Sequence, residues 1–228
     1  MTEAQVRRQF GEGPLSRAAA LVYTLLVVEG LLFATTLPGL VPLLLLDRDA
    51  SNVPLAALCA VPFGPALSAA VYALQRRRLD LTELRPAAAF FRGYRLNAGG
   101  VLRIWLPALA WLTVVGVSLG NFPSAGVPGW WAGLLVGVGV VTLLWTANAL
   151  VITSLFTFRT VDVARLGGYF LARNPRGTFG NAGLLVLAVA VTYFATEAAL
   201  VLLGAVLALA LLGNAQPMIK EIQEKFVA

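Results

Sequence analysis

Two carboxylates, Glu29 and Glu197, stand inside long apolar stretches of this chain, eleven residues beyond Ala18 and fifteen beyond Ala182. An ionisable side chain at membrane depth costs roughly 2.5–3.5 kcal/mol on insertion scales, so it must face protein or water. No arginine or lysine stands at a comparable depth, and each carboxyl is therefore expected to find a hydrogen bond or a proton instead. One reading is a proton-linked or hydroxyl-binding site between the first and last apolar stretches. Carboxylates, amides and aromatic faces bind polyols, and Asn148, Trp145, Tyr193 and Thr196 are the candidate companions. The other reading is hydrogen bonding between helices by a neutral carboxyl.

Other chemistry is excluded by what is missing. The chain has no histidine and one cysteine, Cys59. Histidine-based triads, HExxH sites and Cys/His zinc sites are therefore impossible, and Cys59, inside an apolar stretch, is expected to pack as a small hydrophobe. Asp47 and Asp49 form a DxD around Arg48, which reads as a solvated turn. No cofactor, no metal and no enzymatic activity are expected. The net charge of +6 is read against a membrane surface, not nucleic acid.

The elements that must hold these residues follow from hydropathy. Of 228 residues, 59% are apolar and 12% charged, against about 25% charged in soluble domains. Mean hydropathy is +0.82. Five stretches are long enough to cross a hydrocarbon core of about 30 Å: residues 18–46, 54–74, 101–119, 130–156 and 182–212. The expected fold is an all-α membrane protein of five transmembrane helices, with residues 1–17 as a cytoplasmic tail and 214–228 as a C-terminal tail. Prolines 38 and 42 interrupt the first stretch, and the fifth exceeds a perpendicular span; a break there would form a hairpin and return the tail to the cytoplasm. Of the 17 Lys and Arg, 14 fall before the first stretch, between the second and third or at the start of the third, or between the fourth and fifth. The positive-inside rule makes those segments cytoplasmic. Trp130 and Trp131 fit an interfacial aromatic belt, and Gly129, Gly133 and Gly137 form overlapping GxxxG patterns that favour close helix packing.

Two of the basic connectors share a motif. Arg92-Gly93-Tyr94-Arg95-Leu96-Asn97-Ala98-Gly99 matches Arg176-Gly177-Thr178-Phe179-Gly180-Asn181-Ala182-Gly183 as RGxxxNAG, 84 residues apart. The pattern predicts two parallel helix–elbow–helix repeats after an N-terminal helix. Asn97 and Asn181 are expected to cap the following helix, Gly99 and Gly183 to admit a close neighbour, and Arg92 and Arg176 to meet anionic lipid headgroups. Residues 81–95 read as an amphipathic interfacial helix, with Leu81, Leu84, Ala88 and Phe91 on its apolar face and Arg85 and Arg92 opposite.

Four segments stand out together: Gly13-Pro14-Leu15, the Leu31–Pro38 run, Phe63-Gly64-Pro65-Ala66-Leu67-Ser68-Ala69-Ala70 and the Phe90–Asn97 stretch. Through them the chain resembles the YesL-type family of bacterial integral membrane proteins, with Glu29 where the family prefers Asn. The resemblance implies an accessory role in carbohydrate uptake beside an ABC importer in the bacterial cytoplasmic membrane, without a catalytic residue. The expected partners are the lipid bilayer and an ABC permease or a second copy of the chain. A small transporter for a neutral or proton-coupled solute, using Glu29 and Glu197, is the competing expectation.

Overall fold

The computed structural model describes residues 14–47, 49–76 and 85–226. Among them every regular element is helical. Helix α1 covers Pro14–Leu45 and continues through Pro38 and Pro42. In the turn that follows, Asp49 accepts a hydrogen bond from the Ser51 N–H at 2.8 Å, the local capping that makes DxD a turn here.

The second span is broken. Helices α2 (Val53–Cys59) and α3 (Phe63–Gln75) meet at an angle of 43°. Pro62 and Pro65 remove two N–H donors from this stretch, and a continuous helix would leave carbonyls unsatisfied in hydrocarbon. At the break the Ala60 carbonyl accepts both the Phe63 N–H at 3.2 Å and the Trp105 indole N–H at 3.0 Å. The ring lies against Gly64, where a Cβ would come within 2.6 Å of it. Trp105→Phe keeps most of the packing but removes one of that carbonyl's two hydrogen bonds. It is expected to cost about 1 kcal/mol, read as a lower apparent Tm in detergent.

Helix α3 is the centre of the molecule. Ten of its 13 residues are buried, because it packs against α1, against α4 (Pro86–Gly120), against α5 (Trp130–Leu155) and against α9 (Gly204–Phe226). Gly64, Ala66, Ser68, Ala69, Ala70 and Ala73 keep its girth small, which lets four neighbours approach one axis.

The expected interfacial elbow at 81–95 is not a separate element. Leu81 and Leu84 lie outside the described residues, and from Pro86 onward the chain is already α4, which continues unbroken to Gly120. Pro86 occupies the first turn, where a missing N–H is harmless, and nothing between it and Val101 stops a helix. The face is also different. Phe90 and Gly93 are buried, while Ala88 and Phe91, expected on the apolar side, are exposed.

The expected fifth span at 182–212 is also replaced. Helix α7 (Pro175–Phe194) crosses, the short α8 (Glu197–Val201) turns, and α9 returns along α7. The Thr196 hydroxyl starts α8 by accepting the Ala199 N–H at 3.2 Å. The tail expected at 214–228 is helical as far as Phe226. Its Glu221 reaches Arg173 at 3.7 Å, at the end of α6 (Thr160–Arg173). The hairpin therefore brings the C-terminal helix back to the end of the molecule that holds both basic connectors.

Burial is uneven along the bundle. At the connector end, Phe90, Leu74, Ile152, Phe170, Met218, Ile219 and Ile222 are almost fully enclosed. At the opposite end, Trp130, Leu134, Val138, Val186, Val189 and Phe194 face outward. Such an apolar exterior on helices long enough to cross a bilayer is a lipid-facing surface.

Candidate functional site

The Glu29 carboxylate lies midway along α1 and meets the start of α9. The Ala205 N–H donates to Glu29 Oε2 at 2.7 Å. A helix N-terminus inside a bilayer has orphan N–H groups and a positive dipole end with no water to satisfy them. Glu29 supplies an acceptor for one of them. Its second oxygen, Oε1, is buried without a hydrogen-bond partner. The fit is close: a Cβ on Gly204 would stand 3.0 Å from the Leu32 side chain.

The other residues expected at this site are distributed elsewhere. Glu197 opens α8, which packs on α1. Trp145 and Asn148 instead fasten α6 onto α5. The Trp145 indole N–H donates to the Ala164 carbonyl at 2.9 Å, and Asn148 Nδ2 donates to the Gly167 carbonyl at 3.4 Å. Tyr193 is 75% exposed and pairs edge-on with Phe194. Hydropathy placed these five residues at similar depths but carried no information on which helix faces meet.

The RGxxxNAG motif forms a docking face in each copy. In the first, Gly93 lies under Tyr72 of α3, where a Cβ would come within 2.8 Å of the ring. Asn97, one turn on, donates to the Ser154 carbonyl at 2.9 Å, near the last turn of α5, where carbonyls lack helical partners. In the second, Gly177 and Gly180 accommodate Asn214 of α9, and Asn214 Nδ2 donates to Asn181 Oδ1 at 3.1 Å. The expected capping role of Asn97 and Asn181 is thus corrected. Both helices begin earlier, and in α7 the cap is Asn174, whose Oδ1 accepts the Gly177 N–H at 3.2 Å. The expected close approach falls at Gly93 and Gly177, while Gly99 and Gly183 face open space. Arg92 and Arg176 are exposed in both copies. The packing partners differ: α4 lies on the helix before it, α3, whereas the main partner of α7 is the helix returning after it, α9. In a cycle of Asn181→Ala and Asn214→Ala, the coupling is expected to be about 1 kcal/mol, in the range for hydrogen bonds between membrane helices.

Sequence reasoning missed a second polar link. Ser154 Oγ donates to Ser68 Oγ at 2.8 Å, so Ser68, Ser154 and Asn97 tie α3, α5 and α4 together. The available signal was a small polar residue, Ser68, within the apolar Phe63–Ala70 stretch. A neighbouring groove lined by Val101, Ile104, Trp105, Thr146, Leu150 and Thr153 has no room for a water molecule. Gly129, Gly133 and Gly137 stand open: among the described residues, nothing comes within 4 Å of where a Cβ on any of them would lie. Nor do any three His, Cys, Asp or Glu side chains gather among those residues as metal ligands would.

Charge at the connector end is mostly basic and solvent-facing. Arg85, Arg92, Arg95, Arg159, Arg165, Arg173 and Arg176 are all exposed. Lys225, bonded at 2.6 Å, holds the Glu221 carboxyl below its usual range, with Arg173 assisting.

These features define an all-α multi-pass membrane protein: four helices are long and apolar enough to cross a bilayer, and the bent α2–α3 pair makes a fifth. Compared with protein-family models, curated proteins and solved structures, the chain matches none of them.

Proposed function

We propose that this chain is a non-enzymatic accessory protein of the bacterial cytoplasmic membrane, with its N-terminus and both connectors in the cytoplasm by the positive-inside rule. It offers a rigid basic face to a partner. The observation that carries this reading is the contrast at the connector end, where a closely packed interior lies beneath exposed arginines on α4, α6 and α7. Rigid packing with outward charge suits docking, since a preorganised surface loses little entropy on binding. The YesL-type resemblance supplies the partner, a carbohydrate ABC importer's permease, with self-association as the other arrangement. Co-expression and purification in mild detergent is the test. The permease is expected to accompany the wild-type chain and to be lost from the Arg92→Glu/Arg176→Glu double variant. A chain that purifies alone beside its co-expressed permease would overturn the reading.

The unpartnered Glu29 Oε1 favours one alternative, a small transporter for a neutral or proton-coupled solute. It places a carboxylate at a broken helix within the membrane, an arrangement that transporters use. Solute flux in proteoliposomes that is abolished by Glu29→Gln would support it. Flux that survives Glu29→Gln and Glu197→Gln together would remove both residues from the mechanism.

A further inference from the structure

We infer that α4 carries a binding site for the headgroup of an anionic phospholipid, built from Arg92, Arg95 and Arg103 around the bare backbone of Gly99. At 100° per residue these four positions fall within about an 80° sector of the helix. The opposite sector holds the buried Phe90, Val101 and Ile104. All three arginines are exposed, and a Cβ at Gly99 would meet nothing within 4 Å. Among the described residues the ion pairs join Glu221 to Arg173 and Lys225, and that carboxylate does not lie against this stripe.

The spacing suits a phosphate. Gly99 lies about 6 Å along the axis from both Arg95 and Arg103. Helical side chains lean toward the N-terminus, which carries Arg103 back toward Gly99. Guanidinium groups bind phosphate through paired N–H donors, and the missing side chain leaves space for the headgroup between them. Depth agrees as well. Beyond Arg103, the segment Ile104–Gly120 is about 25 Å long, close to a hydrocarbon thickness of about 30 Å, so Arg103 stands at the headgroup boundary. The same stripe then continues as Leu106, Ala110 and Val114, exposed and apolar, along which acyl chains can lie. That continuity selects a lipid over a soluble phosphate.

The second RGxxxNAG copy is an internal control. Gly183 is equally open, but the positions of Arg95 and Arg103 are taken by Phe179 and Leu187. One arginine, Arg176, remains, so this copy lacks the converging charges.

The test is native mass spectrometry of the full chain in neutral detergent, with equal phosphatidylglycerol and phosphatidylcholine. The wild type is expected to retain one phosphatidylglycerol in preference. Arg95→Gln/Arg103→Gln should reduce that preference by about thirty-fold. Gly99→Leu, which fills the notch without altering charge and at a position with open space, should reduce it too; Arg176→Gln should not. The Gly99→Leu result decides the matter if the arginine double variant does not fold. The inference fails if the wild type shows no preference, if Gly99→Leu retains the full preference, or if glycerol phosphate at equal concentration displaces the lipid.

Discussion

Gly39→Ala is expected to lower the apparent Tm in detergent by about 10 °C, an unusually large effect for one methyl group. Gly39 of α1 lies directly against the Cys59 carbonyl at the end of α2, and an added Cβ would also come within 2.8 Å of the Pro62 ring. Both obstacles are rigid: one is backbone, the other a proline that shapes the break between α2 and α3. The helices must separate, and overpacking of this kind costs about 3 kcal/mol, which at this chain length shifts Tm by about 2–4 °C per kcal/mol. The opposite sign is expected at Gly213, which is exposed in α9 with open space around it. There Gly213→Ala should raise stability by up to about 1 kcal/mol through helix propensity. A Gly39→Ala protein that melts with the wild type would mean that α1 and α2 are not in contact at this point.

Glu29→Ala is expected to cost about 1–3 kcal/mol, because it removes the acceptor and leaves the Ala205 N–H without a partner in hydrocarbon. Glu29→Gln keeps an oxygen in nearly the same place and should retain most of that stability. The pair of variants separates two roles. A residue that only caps α9 tolerates glutamine in every assay, whereas one that exchanges a proton or binds solute loses flux with glutamine while the protein remains folded. Equal melting of the wild type and Glu29→Ala would show that the start of α9 does not depend on this carboxylate.

The sequence by itself determined much of the architecture. Long apolar runs in a chain with 12% charged residues require helices that cross a bilayer, and the structure has five such spans when the bent pair counts as one. The RGxxxNAG motif was visible twice in the sequence, and in both copies a glycine and the asparagine meet a neighbouring helix. Their specific tasks were not legible. Whether Asn97 caps a helix or bonds across to Ser154 depends on where α4 begins, and hydropathy does not locate that start. Likewise, Glu29, Trp145, Asn148, Tyr193 and Glu197 share depth in the sequence, yet only Glu29 reaches Ala205, while Trp145 and Asn148 hold α6.

Tertiary structure alone decided the hairpin from α7 to α9. Residues 182–212 are apolar enough to continue as one span, and the local signals to stop are confined to Thr196, Glu197 and Gly204. What returns α9 is a set of contacts made by distant residues: Glu29 at its start, Asn181 at its middle and Arg173 near its end. Hydropathy reports the preference of each segment for lipid over water. Which segment turns back is set by hydrogen bonds between helices far apart in the chain, and those form only once the bundle has assembled.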